Sequence, residues 1–283
     1  MQTISVVITT FNRRHLVQRA IASVLQQTCQ VHEILLIDDG SDDGTGELIM
    51  QKYPEVLYHW QVNQGISAAR NNGISLSSGD WIAFLDADDE WLPEKLWWQM
   101  NGLNHAPAYQ ICHTDEIWIR RGLRVNPMKK HRKYGGHIFE RCLPLCIISP
   151  SAVIIKRSLF GQIGLFDPGL PVCEDYDMWL RICCREPVLY IDKPLIKKYG
   201  GHRDQLSRKY WGMDRFRITA LEKILIHDQL SPKQRLAVLD TLIKKISIVC
   251  NGAQKRGNKE LFHLYAEKLT GYNDMLLAQR QTV

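Results

Sequence analysis

The first hundred residues alternate between short apolar segments and segments with helical periodicity. The apolar segments are "ISVVIT", "EILLID", "VLYHW" and "WIAFLD", and each has the length and composition of a buried strand. The segments between them, such as "HLVQRAIASVLQQ", place apolar residues three and four positions apart, which is typical of an amphipathic helix. Apolar strands that are each followed by a helix predict a parallel sheet covered on both faces.

The pattern changes after Leu103. Strands are predicted in "YQICHTDEIWI", "SAVIIK" and "LIKKYG", a helix in "EDYDMWLRICC", and helices alone from about Leu206 to the end. The predicted fold class is α/β, with a mostly parallel central sheet, helices on both faces and a helical C-terminal extension. We expect one domain over residues 1–205, in which 1–103 and 104–205 differ in character, followed by a helical region over 206–283.

Polar residues follow each of the first four predicted strands. They are "TTFNR", "DDGSDDGT", "NQG" and "DADD", in chain order. Ligands of open α/β sheets bind beyond the carboxyl ends of the strands, where such loops gather. The sequence therefore predicts a ligand site at this edge of the sheet.

The fourth of these segments crowds Asp86, Asp88, Asp89 and Glu90 into five positions. Like charges about 4 Å apart repel by about 4 kcal/mol at an effective dielectric near 20, so the cluster requires water or a cation. In an extended segment Asp86 and Asp88 point to the same side, as a divalent cation requires. The alternative is that Asp88 or Asp89 only caps the helix that follows.

Composition is that of an ordinary globular protein, with 283 residues, 45% hydrophobic content and a net charge of +6. The eight cysteines form no paired Cys-x-x-Cys pattern of a zinc site. No apolar run approaches the roughly 18 residues that span a bilayer, and the N-terminus does not resemble a signal peptide. We therefore expect a cytoplasmic protein.

The segment "RRGLRVNPMKKHRK", residues 120–133, carries seven Lys or Arg, one His and no acid. One interpretation is a solvated loop. The other is a contact for an anionic membrane surface or a phosphate-bearing acceptor, which would make the protein peripheral at the inner face of the membrane. No motif typical of nucleic-acid binding accompanies the run, so nucleic acid is not an expected partner.

The turn after the first strand excludes two common phosphate sites. A dinucleotide-binding protein would have Gly-x-Gly-x-x-Gly there, but the sequence is Thr9, Thr10, Phe11, Asn12. A Walker loop is also missing from the sequence. A bound phosphate would need another partner, and a divalent metal on one or two carboxylates is the usual alternative.

Four segments in order, "VVITTFNRRHLVQRAIASVLQQT", "EILLIDDGSDDGT", "NQGISAARNNGI" and "GDWIAFLDADDEW", resemble the family 2 glycosyltransferases of the GT-A fold, over residues 3 to about 200. The resemblance implies transfer of a sugar from a nucleotide donor, usually a UDP-sugar, to an acceptor hydroxyl with inversion. Residues 1–103 would be the nucleotide-sugar binding half and 104–205 the acceptor half. The acceptor would be a saccharide or lipid-linked saccharide of cell-surface polysaccharide synthesis.

The resemblance assigns donor-binding roles to six residues. Thr9 and Phe11 would line the base and ribose pocket, and Asp39 would accept from the uracil ring N–H. Arg70 would meet the nucleotide or its phosphates, and Asp86 the ribose or the metal. The full donor set is Thr9, Phe11, Asp39, Asn63, Arg70 and Asp86. From the residues alone, Asp39 could also be a helix cap and Arg70 part of a surface salt bridge.

The metal and the general base are also assigned by the resemblance. Asp88 would bind Mg²⁺ or Mn²⁺, with His202 as a further ligand, although a lone His is more often structural or exposed. In "GLFDPGLPVCEDYDMWLRI", Asp175 would be the general base and Glu174 its neighbour and weaker candidate. The alternative for these acids is to complement the dipole of the helix that they open.

Two other functions remain open at this point. A sugar-phosphate nucleotidyltransferase uses a related sheet, but it would carry a Gly-rich signature near the first strand that "TTFNRR" lacks. A non-catalytic carbohydrate-binding or partner-binding protein could keep the scaffold without the reaction. The acids at positions 39, 88 and 175 favour the enzyme over this alternative.

Overall fold

A computed structural model of the protein describes residues 2–201, 209–227 and 230–281. The strands in these ranges are β1 (Ile4–Thr10), β2 (Glu33–Asp38), β3 (Leu57–Trp60), β4 (Trp81–Asp86), β5 (Glu90–Trp91), β6 (Ile111–Arg120), β7 (Leu123–Val125), β8 (Val153–Lys156) and β9 (Leu189–Gly200). The helices are α1 (Arg14–Leu25), α2 (Thr45–Lys52), α3 (Ile66–Leu76), α4 (Lys95–His105), α5 (Phe139–Cys142), α6 (Phe160–Ile163), α7 (Glu174–Cys183), α8 (Met213–His227), α9 (Pro232–Lys255) and α10 (Lys259–Gln281).

All of these strands belong to one sheet, in the order β3-β2-β1-β4-β8-β6-β9-β5, with β7 paired to β6. The first four strands pair in parallel, as predicted from their apolar character. Beyond β4 the sheet is mixed, because β8 is antiparallel to β4 and β6 while β9 is parallel to β6. The predicted α/β class is confirmed, and the parallel part coincides with the alternating first hundred residues.

Each face of the sheet has its own core. Along β1, Val6 and Ile8 pack on one side with α1 and α2, and Val7 packs on the other side. Because successive side chains of a strand point to opposite faces, a strand that is buried on both faces is apolar at every position. Burial on both faces explains why the β1 segment "ISVVIT" is apolar almost throughout.

On the face of the sheet that carries Val7, α3 lies so close that its residue 73 must be a glycine. A Cβ added to Gly73 would lie 2.3 Å from Cγ1 of Val7, so only glycine lets α3 approach the sheet this closely. The same core continues into the C-terminal helices, where Leu239, Leu242 and Ile246 of α9 are buried. The helices of the predicted extension therefore share the core on the Val7 side of the sheet, where they pack on α5 and α7.

Among the described residues, no helix is both long enough and apolar enough to cross a bilayer.

Candidate active site

The loops after β1 and β2 are fixed to each other by a pair of hydrogen bonds. The backbone N–H of Asn12 donates to Oγ of Ser41 at 2.8 Å, and that of Asp42 donates to Oδ1 of Asn12 at 3.0 Å. Asn12 has a left-handed backbone with φ of 49°, which Asn tolerates better than most residues. The structure thus brings "TTFN" and "DDGS" together at the predicted edge.

The two adjacent acids of "DDGS" act on different parts of this edge. Asp38 is fully buried and holds its own loop, accepting from the backbone N–H of Ser41 and from the hydroxyl of Tyr58, each at 2.8 Å. Asp39 instead reaches the β3–α3 loop. It accepts from the backbone N–H groups of Gln64 at 2.9 Å and Gly65 at 2.8 Å.

The β3–α3 loop is also fixed from its own side. Nδ2 of Asn63 donates to the carbonyl oxygen of Asp39 at 2.8 Å, and Nε2 of Gln61 donates to its Oδ1 at 2.7 Å. Gly40 makes this approach possible, because its φ is 89° and an added Cβ would lie 2.9 Å from the backbone nitrogen of Asn63. Three of the four predicted segments are therefore joined, and the carboxylate of Asp39 is the group that holds the third segment to the second.

The end of β1 carries two buried hydroxyl groups that make no hydrogen bond within the described residues. Within the described residues, Oγ1 of Thr9 and Oγ1 of Thr10 have no hydrogen-bond partner. Phe11 follows with 48% of its surface exposed, which is high for a large apolar side chain. An apolar ring beside unsatisfied hydroxyl groups at a sheet edge suits a ligand with both a flat ring and polar atoms.

Arg70 of α3 joins the fourth strand to the start of α7. Its Nη2 donates to Oδ1 of Asp86 at 2.8 Å and its Nη1 donates to Oε1 of Glu174 at 2.6 Å. The side chain is only 3% exposed, so this is a buried bridge and not a surface ion pair. Burial alone would lower the pKa of Arg70, but Asp86 and Glu174 together raise it, so the guanidinium remains charged.

The acids at residues 86–89 form a turn and not the extended segment considered above, since the backbone N–H of Asp89 donates to the carbonyl oxygen of Asp86. Asp89 is buried and does not cap α4. It accepts from Oγ of Ser151 at 2.6 Å and from the backbone N–H of Tyr199 at 3.0 Å. Burial and the neighbouring Asp88 raise its pKa.

Glu90 and Asp88 meet cations. Oε1 of Glu90 accepts from Nζ of Lys197 at 2.7 Å, which ties β5 to β9. Oδ2 of Asp88 lies 3.5 Å from Nη1 of Arg13. The cluster thus divides into Asp89 and Glu90, which hold the turn to β9, and Asp86 and Asp88, which remain partly exposed at the edge.

The acids at the start of α7 lie beside this edge. Glu174 is buried, and burial together with the adjacent Asp175 raises its pKa to about 7, although Arg70 opposes the shift. Oδ1 of Asp175 accepts from the backbone N–H of Tyr176 at 2.7 Å. Its Oδ2 lies 3.2 Å from Sγ of Cys146, so the thiol can donate to it. Two carboxyl groups are therefore adjacent at the start of α7, and the pKa of one of them, Glu174, is raised.

The sequence interpretation missed Cys146 and Lys198, which belong to no recognised motif. Nζ of Lys198 donates to Oγ of Ser149 at 2.7 Å, close to Asp86 and Asp89. Desolvation alone would lower the pKa of Lys198, but the surrounding carboxylates raise it. The one available signal was position, because Lys198 lies on the predicted strand "LIKKYG" that precedes the glycine pair.

The donor set of the acidic turn fits a divalent metal. The side chains of Asp86 and Asp88 are 28% and 22% exposed, so both can reach a ligand in solvent. In the described part of the chain, no three His, Cys, Asp or Glu side chains gather as a complete metal site. Two hard carboxylates suit Mg²⁺ or Mn²⁺, which can complete the shell with phosphate oxygens and water. His202, the expected further ligand, lies outside the described residues.

Comparison with known proteins gives one family for this arrangement. The model of the family described as "Glycosyl transferase family 2" matches residues 5–164, which is more than half of the chain. An uncharacterized glycosyltransferase of Rickettsia bellii is 32% identical over 69% of this chain, and the match covers 28% of that protein. The TuaG protein of Bacillus subtilis, whose name assigns it to teichuronic acid biosynthesis, is 25% identical over 74% of this chain and 82% of its own.

Solved structures share the fold at low sequence identity. Residues 1–349 of S. aureus TarS in complex with UDP-GlcNAc superpose with a TM-score of 0.76 at 16% identity, covering 95% of this chain and 81% of that one. The Pyrobaculum calidifontis mannosyltransferase PcManGT with GDP-Man and Mn²⁺ gives a TM-score of 0.62 at 14% identity, covering 99% and 84%. The chain spans less than two thirds of the length of the first relatives that it matches, 28% to 65%.

Proposed function

The chain belongs to glycosyltransferase family 2, and from this premise we propose that it is a metal-dependent inverting glycosyltransferase. The donor would be a nucleotide sugar, most simply a UDP-sugar, and the acceptor a hydroxyl of a saccharide or lipid-linked saccharide in cell-surface polysaccharide synthesis. One observation carries the proposal. Arg70 binds both Asp86 of the acidic turn and Glu174 of α7, so the proposed donor and acceptor residues form one site.

The nucleotide would occupy the edge formed by the first three loops. Phe11 offers an exposed ring to the base, and the hydroxyl of Thr9 can bind polar atoms of the nucleoside. Asp39 would accept from the uracil ring N–H. A carboxylate has about four acceptor positions, and the hydrogen bonds from Gln61, Gln64 and Gly65 use three of those of Asp39. Asn63 fixes the loop that closes this side.

Asp88 would hold a Mg²⁺ or Mn²⁺, with Asp86 beside it. When bound, the metal would neutralise charge on the departing diphosphate, which is typically worth several kcal/mol in such reactions. Support for this role comes from the two partly exposed carboxylates and from a fold neighbour, PcManGT, whose structure is a complex with GDP-Man and Mn²⁺. Arg70 is buried against Asp86 and would orient that carboxylate.

Asp175 would remove the proton from the acceptor hydroxyl. The acceptor oxygen then forms a bond to the anomeric carbon as the bond from that carbon to the diphosphate breaks, and the electron pair leaves with the diphosphate. Attack from the opposite face inverts the anomeric centre. Glu174 has a raised pKa that would suit a base, but it is buried in an ion pair with Arg70, so it is the weaker candidate.

The two alternatives, a sugar-phosphate nucleotidyltransferase and a non-catalytic binding protein, require different groups in the site. A nucleotidyltransferase needs no general base at the acceptor side, and a binding protein needs no metal on the diphosphate. The partly exposed acidic turn and the bridge to α7 therefore favour the transferase.

Calorimetric titration with UDP, with and without Mn²⁺, tests the proposal. Wild-type protein should bind UDP much more tightly with Mn²⁺, and Asp88→Asn should lose that enhancement while keeping the fold, because an amide is a poor replacement for a carboxylate ligand. Asp274→Asn, an exposed acid on α10, is the matched control and should behave as wild type. Metal-independent UDP binding, or an unchanged Mn²⁺ effect in Asp88→Asn, would contradict the proposed metal site.

A further inference from the structure

Residues 118–132 form an exposed surface that we call the basic hairpin. β6 and β7 are joined by the two-residue turn Arg121–Gly122, whose φ angles of 50° and 78° are those of a type I′ hairpin turn. A short helical turn, residues 129–131, follows and packs back on the hairpin, with the rings of His131 and Trp118 4.9 Å apart. The hairpin and the turn are therefore one surface.

The charge of the basic hairpin is exposed, and the sequence over residues 117–139, which includes the hairpin, contains no acid. The exposed cations are Arg121, Arg124, Lys129, Lys130 and Arg132. Lys133, which the sequence groups with them, is instead buried in an ion pair with Glu116 at 3.1 Å. No acidic residue occurs between Glu116 and Glu140, so nothing in this stretch of sequence offsets the five exposed charges.

Apolar side chains are exposed among these cations. Leu123 is 71% exposed and Met128 is 60% exposed. Leu123 pairs with Arg120 across the strands, and Trp118 pairs with Val125 two positions away, so these four lie on one face of the hairpin. Exposed apolar groups surrounded by Lys and Arg are typical of surfaces that enter the interface of an anionic bilayer.

The basic hairpin projects from the edge of the sheet that carries the acidic turn. β6 runs parallel to β9, with Ile119 beside Tyr199 and Arg120 beside Gly200. The backbone N–H of Tyr199 holds Asp89, so the hairpin turn begins two residues beyond the level of the acidic turn. A surface that touched the hairpin would face the opening of the candidate active site.

We propose that the basic hairpin docks the protein on an anionic lipid surface. The cations supply attraction to the headgroups, and Leu123 and Met128 supply the apolar contact that makes such docking stable, since one weak signal alone rarely anchors a protein. A soluble polyanion would use the cations but would gain little from the apolar pair. The idea that docking brings the site to a lipid-linked acceptor rests on the proposed function. The lipid contact itself does not depend on the proposed function.

Vesicle co-sedimentation of the full chain tests the docking. The protein should bind phosphatidylcholine vesicles only when they also contain phosphatidylglycerol. Binding should weaken as salt rises from about 0.1 M to about 1 M, because the Debye length falls from about 10 Å to about 3 Å. Equal binding to phosphatidylcholine alone, or no binding to either vesicle, would overturn the proposal.

Two paired variants assign the binding to this surface. Lys129→Gln/Lys130→Gln should weaken partition roughly 30-fold, at about fivefold for each cation lost near an anionic surface. The matched control is Lys255→Gln/Arg256→Gln, which removes two exposed charges from the end of α9 and should have a much smaller effect. Equal losses in both variants would show a response to net charge alone and would overturn the assignment.

The apolar pair separates lipid from a soluble polyanion. Leu123→Gln/Met128→Gln should weaken vesicle binding but not binding to polyphosphate, whereas Met50→Gln/Leu277→Gln, exposed residues on α2 and α10, should change neither. Hairpin-dependent binding to polyphosphate with no effect of Leu123→Gln/Met128→Gln on vesicles would identify a soluble polyanion as the partner. UDP binding in the absence of vesicles reports on the proposed function and should be the same in all four variants.

Discussion

The two carboxylate oxygens of Asp175 accept from different donors. Only one of these donors is a side chain and can be removed by substitution. Oδ1 accepts from the backbone N–H of Tyr176, while Oδ2 faces the thiol of Cys146 at 3.2 Å. Burial and the nearby Asp175 raise the pKa of the Cys146 thiol, so the thiol stays protonated and remains a donor. A hydrogen bond to the charged form of an acid favours that form.

Loss of the thiol should therefore slow the proposed reaction. In Cys146→Ala the carboxylate of Asp175 loses a hydrogen bond that fixes its direction, and kcat/KM should fall by roughly 3- to 10-fold, as expected for the loss of about one hydrogen bond. Glu174, Arg70 and Lys198 also act on this region, but the substitution leaves them in place. The measurement is turnover with a donor identified by a nucleotide-sugar screen.

Two comparisons give that loss its meaning. Cys146→Ser keeps a donor and should restore most of the wild-type kcat/KM, whereas a purely structural cysteine would be replaced about equally well by Ala. Asp175→Asn should lower turnover by about 10² to 10⁴-fold with UDP binding retained, the range for loss of a general base. An unchanged kcat/KM in Cys146→Ala, with Asp175→Asn inactive, would exclude a role for the thiol and leave Asp175 as the base.

Arg70 differs from its expected role in one respect. The resemblance gives it to the nucleotide or its phosphates, but the structure shows a guanidinium that is 3% exposed and bound to two carboxylates. Its planar fork suits this bridge, because two parallel donors hold two acceptors at fixed directions. The residue thus orients Asp86 and Glu174 and couples two halves of the site that lie far apart in sequence.

At the scale of elements, α4 begins with a lysine that has no access to solvent. Nζ of Lys95 donates to Oε1 of Gln99 at 2.8 Å and lies 3.9 Å from the centre of the Trp91 ring. Burial lowers the pKa of Lys95 to about 7, although the face of the aromatic ring favours the ammonium form and opposes the shift. The start of α4 therefore makes stability depend on pH.

The sign of that dependence follows from the protons bound. The ordinary pKa of lysine is about 10.4, so between pH 7 and about 10 the unfolded chain holds a proton that folded Lys95 releases. Stability should then rise with pH across this range, by at most about 1.4 kcal/mol per unit from this residue. Below pH 7 both states are protonated, and the full cost of the buried charge is present without further change.

Lys95→Met removes this contribution. The slope of unfolding free energy against pH, measured with guanidinium between pH 7 and 9.5, should be smaller in the variant than in wild type by up to about 1 kcal/mol per unit. Lys259→Met is the control, because Lys259 also opens a helix but is exposed. Equal slopes in wild type and Lys95→Met would show that Lys95 is not neutralised on folding.

For the molecule as a whole, the sequence predicted most of what depends on local pattern. The first four strands and their helices were found where period and apolar content placed them, since those signals lie within each segment. The gathering of "TTFN", "DDGS", "NQG" and the acidic turn at one edge followed from the parallel order alone. These features needed no knowledge of distant contacts.

What the sequence could not give depends on pairings between distant residues. Cys146 lies 29 residues from Asp175, and Lys198 reaches Ser149 across 49 residues, with no motif at either pair. Lys133 counts as one more charge in a basic run, yet the fold buries it against Glu116. Local propensity carries no information on such contacts. Glu116 lies on β6 and Lys198 on β9, and only the path of the folded chain brings them to their partners.

Long-range packing also bears on the predicted boundary between the domain over residues 1–205 and the helical region over 206–283. The core on the Val7 face of the sheet includes Leu242 and Ile246 of α9 and continues to Leu276 of α10. Polar contacts add to it, since Nζ of Lys245 donates to the carbonyl oxygen of Pro144 at 2.9 Å. The C-terminal helices therefore cover apolar surface of the sheet domain and do not form a separate core.

A shared core predicts one cooperative unfolding transition for the entire chain. In urea, the helical signal by far-ultraviolet circular dichroism and the fluorescence of the sheet tryptophans Trp81 and Trp91 should change with the same midpoint, because loss of α8 and α9 would expose α5 and α7, which complete the core on the Val7 face of the sheet. A helical region that folded independently would instead lose its dichroism in a separate step. Two resolved midpoints would therefore establish residues 206–283 as an autonomous unit, and coincident curves would assign them to the same folding unit as the candidate active site.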